Sequence, residues 1–261
     1  QGRVGDGNTV GDASAEARAH GMSVEANIAE AEFMGDRYAF IDCPGSIEFQ
    51  HAAMAALPGV DLAVVVAEAD PKKIAALQLC LRDLEERGVP HALFLNKVDK
   101  LGDSVRDVLT MLQAASDVPL VLRQIPMRKD GEVTGFIDLA LERAFVYHDG
   151  GPSEVVEIPE GEQDREHEAR FGMLEKIADF DDALLEQLLE DVEPERATIF
   201  ADLVSEFRQG VICPVFIGSA EHGFGVGRLL KALRHEAPTV AETRERLGVS
   251  DPDALCVQGS K

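Results

Sequence analysis

The sequence predicts an α/β fold: a mostly parallel central sheet with helices on both faces, interrupted by an α+β insertion. Three observations carry this. Short apolar runs at 62–67, 91–95 and 211–218 read as buried strands. Helical patterns follow the first two, giving the strand–helix–strand rhythm of a parallel sheet. Between 118 and 208 that rhythm gives way to turn-linked strands and then to acidic helices.

Taken in order, residues 1–21 are rich in Gly and Ala and read as a loop. Two strands follow, within 23–33 and 37–42, joined by a turn at Gly35-Asp36. Pro44-Gly45 stops the second, and 47–57 is helical, with Phe49 and the Ala/Met run on one face. The run 62–67 is of the fully buried strand type. Pro71 opens a helix to about Arg87, and Gly88 suits the position just past it. After the strand 91–95, Asp103 caps a helix to about Ser116. In the insertion, strands at 120–125 and 135–146 flank a turn at 129–132, and helices occupy about 166–178, 181–190 and 195–208. The strand 211–218 resumes the parallel pattern, a Gly-rich stretch at 223–227 leads into a helix to about Glu236, and Pro238 ends it. The expected organisation is a main domain from 1–117 and 209–240, an inserted subdomain at 118–208, and a linker at 241–261 toward a following domain.

Composition narrows the function. A chain of 261 residues can bury about 75% of its unfolded surface and so build a real core. Leu112, Met111 and the Leu184, Leu185, Leu188, Leu189 group are expected in it. Forty-eight acidic residues face 25 basic ones, for a net charge of −23. Such a surface repels phosphate backbones, and the bases are scattered, so no sequence-specific DNA role is expected. No run of about 18 apolar residues exists, so no membrane span is expected, and the first residues lack a signal peptide's apolar stretch. Cys43, Cys80, Cys213 and Cys256 form no CxxC pair, which points to a reducing, cytoplasmic setting.

Three short motifs carry chemistry. Asn96-Lys97-Val98-Asp99 directly follows an apolar strand. The Asp99 carboxylate can accept two hydrogen bonds from guanine, one from the ring N–H and one from the exocyclic amine, and adenine cannot supply that pair. Asn96 can brace the loop and reach the base, and the Lys97 stem can lie along the ring. A capped turn with a solvated Asp99 would give the same letters. Asp42-Cys43-Pro44-Gly45 follows another strand. An Asp there can hold Mg²⁺, and a Gly lets a backbone N–H approach a γ-phosphate closely; an ordinary strand-ending turn is the alternative. Gly218-Ser219-Ala220 ends the last strand, where backbone N–H groups can meet the guanine O6.

In this order the three motifs resemble the guanine-nucleotide domain of translational GTPases, and most closely elongation factor G and its elongation-factor-G-like paralogues. The stretch 7–12, followed by Arg18-Ala-His-Gly-Met-Ser-Val-Glu25, is similar to that family's first switch segment, and Phe136-Ile-Asp-Leu139 to part of its inserted subdomain. The resemblance covers about residues 3–240. It implies a P-loop-NTPase-like G domain that binds GTP or GDP with Mg²⁺. It assigns Ser23 and Asp42 to the metal, Gly45 and Ser46 to the hydrolytic step, and Asn96, Lys97, Asp99, Ser219 and Ala220 to the guanine pocket. It further implies a cytoplasmic GTPase whose partner is the factor-binding site of the large ribosomal subunit.

Two departures stand against the family pattern. No Lys follows a Gly, so the G-x-x-x-x-G-K-[ST] phosphate loop is absent from the chain and is expected upstream of its first residue. Ser46 occupies the place where the family has a His that positions the attacking water. The chain as given is therefore expected to bind and hydrolyse GTP poorly. Two other readings stay open: a GTPase fold retained as a non-hydrolysing scaffold, and an unrelated doubly wound enzyme that prefers adenine nucleotides.

Overall fold

The computed structural model describes residues 6, 9, 14–102, 104–148 and 151–249. They fall into two compact units, one formed by 1–60 with 240–261 and the other by 61–239.

The first unit begins with α1 (Ala15–His20), where a loop is expected. The segment Ala-Glu-Ala-Arg-Ala-His has high helix propensity. Ser14 caps it by accepting from the Ala17 N–H, and Gly21 ends it at φ +63°. The two expected strands are β1 (Asn27–Phe33) and β2 (Asp36–Asp42), paired antiparallel from Asn27↔Asp42 to Phe33↔Asp36. A 3₁₀ turn at Ile47–Phe49 leads into α2 (Gln50–Ala56).

The second unit holds the core. Its parallel strands are β3 (Ala63–Ala67), β4 (His91–Leu95), β5 (Leu120–Leu122) and β10 (Cys213–Ile217), in the order β3-β4-β10-β5. Between them lie α3 (Ile74–Glu86), preceded by a 3₁₀ turn at Pro71–Lys73, and α4 (Val105–Gln113). Every residue of β4, β5 and β10 is buried, as befits parallel strands covered on both faces. The run at 62–67 differs from its expectation: Val66 is 61% exposed. β3 lies at the end of the sheet order, with a strand neighbour on one side only among the described residues. The Asp103 cap lies outside the described residues; Ser104 caps α4 through the Arg106 N–H (3.2 Å).

The expected strand at 120–125 is two strands. Leu120–Leu122 joins the parallel sheet, and after Arg123 the chain enters an antiparallel sheet of β6 (Gln124–Lys129), β7 (Glu132–Asp138), β8 (Arg143–Val146) and β9 (Glu154–Val156). Asp130 and Gly131, both at positive φ, make the β6–β7 turn. Three helices follow as expected: α5 (Gln163–Ala178), α6 (Asp182–Leu189) and α7 (Arg196–Gln209). Leu112 and Leu184 are core residues, but Leu189 is 80% exposed and Leu185 is exposed too, because α6 presents only one face inward. After β10 comes α8 (Val226–Glu236).

The tail expected as linker opens with a helix, α9 (Val240–Arg246). Glu242 in its first turn and Arg244 and Arg246 in its last turn match the helix dipole, and Arg246 donates to the Val60 carbonyl (2.6 Å). Residues 250–261 lie outside the described residues.

Candidate functional site

β4 and β10 run side by side and parallel, so the loops at their carboxyl ends emerge together. The first loop is Asn96-Lys97-Val98-Asp99 and the second starts at Gly218. The backbone stitches them: the Gly218 N–H donates to the Leu95 carbonyl (3.0 Å), and the Val98 N–H to the Gly218 carbonyl (3.1 Å). Asn96 adds a side-chain tie, its Oδ1 accepting from the Ala220 N–H (2.9 Å). Asn96 thus braces the second loop and meets Ala220, two of the residues expected at the guanine pocket.

Asp99 sits in a 3₁₀ turn, Val98–Lys100. The residue is half-buried, yet its Oδ1 is fully buried and has no hydrogen-bond partner among the described residues. An unpaired buried carboxylate oxygen is costly, so such an atom marks a place where a donor belongs. Lys97 adopts φ +60°, the left-handed region that non-glycine residues rarely enter. Its Nζ lies 2.6 Å from Glu68 Oε1, and Glu68 also takes Lys73 at 2.9 Å. The Lys97 and Lys73 ammonium groups hold the Glu68 carboxyl below its usual range, and Glu68 in turn raises Lys97.

The second loop is closed on itself. The Ser219 N–H donates to the Phe224 carbonyl (3.0 Å) and the Phe224 N–H to the Ser219 carbonyl (2.9 Å). Ser219 is buried, and its Oγ lies 2.9 Å from His222 Nδ1. Gly218 is required here: a Cβ would fall 2.3 Å from the Phe224 carbonyl oxygen and 2.5 Å from the Phe94 ring.

In the first unit, Asp42 is the last residue of β2. The Ser23 hydroxyl donates to Asp42 Oδ2 at 2.9 Å, which brings the two predicted metal residues into contact. A hydroxyl and a carboxylate are hard oxygen donors of the kind Mg²⁺ takes, and that ion usually keeps several positions for water and phosphate. Burial, aided by the neighbouring Asp42 charge, pushes the Cys43 thiol up. Gly45 is exposed, and a Cβ there would meet no atom within 4 Å. Among the described residues nothing demands Gly at this point. The Ser46 carbonyl accepts from the Phe49 N–H (3.0 Å) and starts the next turn. Of the stretch 7–12, expected as a first switch segment, only Thr9 falls within the described residues.

Sequence reasoning missed Glu68 and the aromatic residues behind the second loop. Glu68 carried a usable signal, since it directly follows a strand just as Asn96 does. The contact of Tyr147 with Phe224 had none, because it joins residues far apart in the chain.

Comparison with known proteins agrees with this geometry. The family model described as the elongation factor Tu GTP binding domain matches residues 1–239. The chain is 43% identical over 250 residues to an elongation factor G-like protein of Synechocystis, covering 96% of the chain and 37% of that protein. It is 31% identical over 241 residues to elongation factor G of Fervidobacterium nodosum, covering 91% of the chain and 35% of that protein. A crystal structure of a Thermus thermophilus protein superposes with a TM-score of 0.81 at 29% identity, covering 91% of this chain and 36% of the other. The chain therefore spans little more than a third of the length of these relatives. The buried acceptor of Asp99, the braced loops and these matches lead to one conclusion: the chain belongs to the elongation factor Tu GTP-binding domain family, as an elongation-factor-G-like G domain.

Proposed function

We propose that this chain is the nucleotide-reading part of a cytoplasmic translation factor that cycles between GTP and GDP at the large ribosomal subunit. The observation that supports it best is the buried, unpartnered Oδ1 of Asp99, held in a loop that Asn96 ties to Ala220. Asp99 accepts from the guanine ring N–H and exocyclic amine. Asn96 and the Ser219–Ala220 turn hold the base edge. Lys97, pinned by Glu68, lines the rim of the pocket. In the other unit, Ser23 and Asp42 supply oxygens to Mg²⁺, whose part is to neutralise phosphate charge. Gly45 leaves room for its N–H to approach the γ-phosphate. Ordering and release of the segments around Ser23 and Gly45 would then form the switch.

Ser46 bears on turnover. Its hydroxyl offers neither the reach nor the charge of an imidazole for orienting water, and hydrolysis by that route is impaired. Ser46→His is expected to raise ribosome-stimulated hydrolysis at least about tenfold; an unchanged rate in a single-turnover assay means another group orients the water. The same residue favours a second reading, in which the fold is kept as a non-hydrolysing scaffold. Calorimetric titration with GDP and Mg²⁺ decides between them. It is run on this chain and on one extended upstream through a phosphate loop. Binding by the longer chain alone supports a G domain that needs the upstream loop. Binding by neither leaves the scaffold.

A further inference from the structure

Behind the base-reading loop runs a chain of aromatic rings that begins in the inserted sheet. Phe136 on β7 stacks on Phe145 of β8, with centroids 4.8 Å apart and planes 9° apart. Tyr147, just past β8, packs against Phe136 at 5.6 Å, and its N–H donates to the Thr134 carbonyl (2.9 Å). On its other side Tyr147 lies flat on Phe224, at 4.2 Å and 2°. Phe224 stacks on His222 at 5.3 Å, and His222 Nδ1 reaches Ser219 Oγ at 2.9 Å. The row therefore ends on the serine of the guanine loop. All these residues belong to the unit 61–239.

The loop has little freedom of its own. Ser219 and Phe224 are bonded to each other in both directions, so the loop cannot shift without sliding the Phe224 ring over Tyr147. Gly225, at φ +77°, leaves no slack either: a Cβ would lie 2.3 Å from the Ile217 carbonyl oxygen. The position of the loop passes on to Asn96 through the Ala220 N–H. Tyr147 does its part as a ring and not as a phenol. Its hydroxyl is buried with no hydrogen-bond partner among the described residues.

We propose that Tyr147 and His222 are positioning residues of the guanine loop: the inserted sheet clamps residues 219–224 through stacked rings and so sets how slowly the nucleotide leaves. This rests on the base-reading role proposed for Asp99 and Asn96.

The test is the dissociation rate of a fluorescent GDP from the chain extended upstream, measured by displacement. Tyr147→Leu keeps an apolar side chain but loses the flat contact, and release is expected to speed up about tenfold. Tyr147→Phe keeps the ring and is expected to release at the parent rate. His222→Ala, at an exposed position, is expected to speed release by a smaller factor. The double variant Tyr147→Leu, His222→Ala should be no faster than Tyr147→Leu, since both act on one loop; a purely structural role would multiply the two effects. Unchanged release in Tyr147→Leu, or multiplied effects, overturns the proposal. Should Tyr147→Leu fail to fold, His222→Ala carries the test, and unchanged release there overturns it. Asp99→Ala in the same assay separates the two layers. Retained preference for GDP over ADP removes the base-reading role and this inference with it. Lost preference together with unchanged release in Tyr147→Leu removes only the aromatic clamp.

Discussion

The two loops of the second unit and the Ser23–Asp42 pair of the first are built on opposite kinds of support. The loops grow from β4 and β10, strands buried along their whole length and bonded to neighbours on both sides. Ser23 and Asp42 meet at the end of a two-stranded hairpin in which Ile28 is 72% exposed. A lone hairpin is marginal by itself, whereas a central parallel strand holds its ends in place. The difference suits the roles proposed for the two. Reading one base against another needs acceptors fixed before the ligand arrives. A segment that orders and releases must come from the low-stability end of a structure. The charge pairs show the same contrast: Arg123 and Glu236 are buried and doubly bonded, at 2.6 and 3.1 Å, while Arg37 and Glu30 meet in open solvent.

The largest effect should come from breaking the buried side. Glu236→Gln leaves the Arg123 guanidinium without its counter-charge and is expected to cost about 3–5 kcal/mol in denaturant unfolding. Arg37→Ala, its exposed counterpart, should stay within about 0.5 kcal/mol. Equal losses would erase the contrast.

Next in size is Asp99→Ala. Losing two hydrogen bonds to a charged acceptor should lower the preference for guanine over adenine nucleotides by about 100-fold in competition binding. An unchanged preference would sink the role of Asp99.

The last prediction concerns pH and shows what deep burial costs the second unit. Burial, with Asp202 and Asp181 nearby, pushes the Glu206 carboxyl up to about 8. The folded protein keeps that proton where the unfolded chain, titrating near the ordinary value of 4.5, has released it. This contribution to stability is full below pH 4.5 and is lost as pH rises through 8. Glu206→Gln should flatten that decline between about pH 5 and pH 8. Parallel stability profiles for the two proteins would refute the assignment.

Much of the fold is legible in the sequence. The apolar runs at 91–95 and 211–218 announced buried strands because burial on both faces leaves no polar alternation. The motifs after them were readable because each is contiguous, and Asn96 does reach Ala220 from one loop to the other. Failures came where local letters compete with context. The segment of α1 reads as loop because the glycines around it mask a short run of helix formers, and α9 reads as linker because its residues are mostly polar. The sheet change at Arg123 was invisible, since the stretch 120–125 reads as one strand yet serves two differently built sheets.

The residue order alone settled which chemistry the chain can offer: a carboxylate after one strand, an amide and a carboxylate after another, and a small-residue turn after a third. Those choices are local, and the last two follow parallel neighbours, whose carboxyl ends share one edge of the sheet. Folding alone decided what holds them. The Glu68 grip on Lys97, the bond from Ala220 to Asn96 and the ring-to-ring path from Phe136 to His222 join positions up to 124 residues apart. No spacing in a sequence encodes such contacts, because they exist only once packing has closed the chain around them.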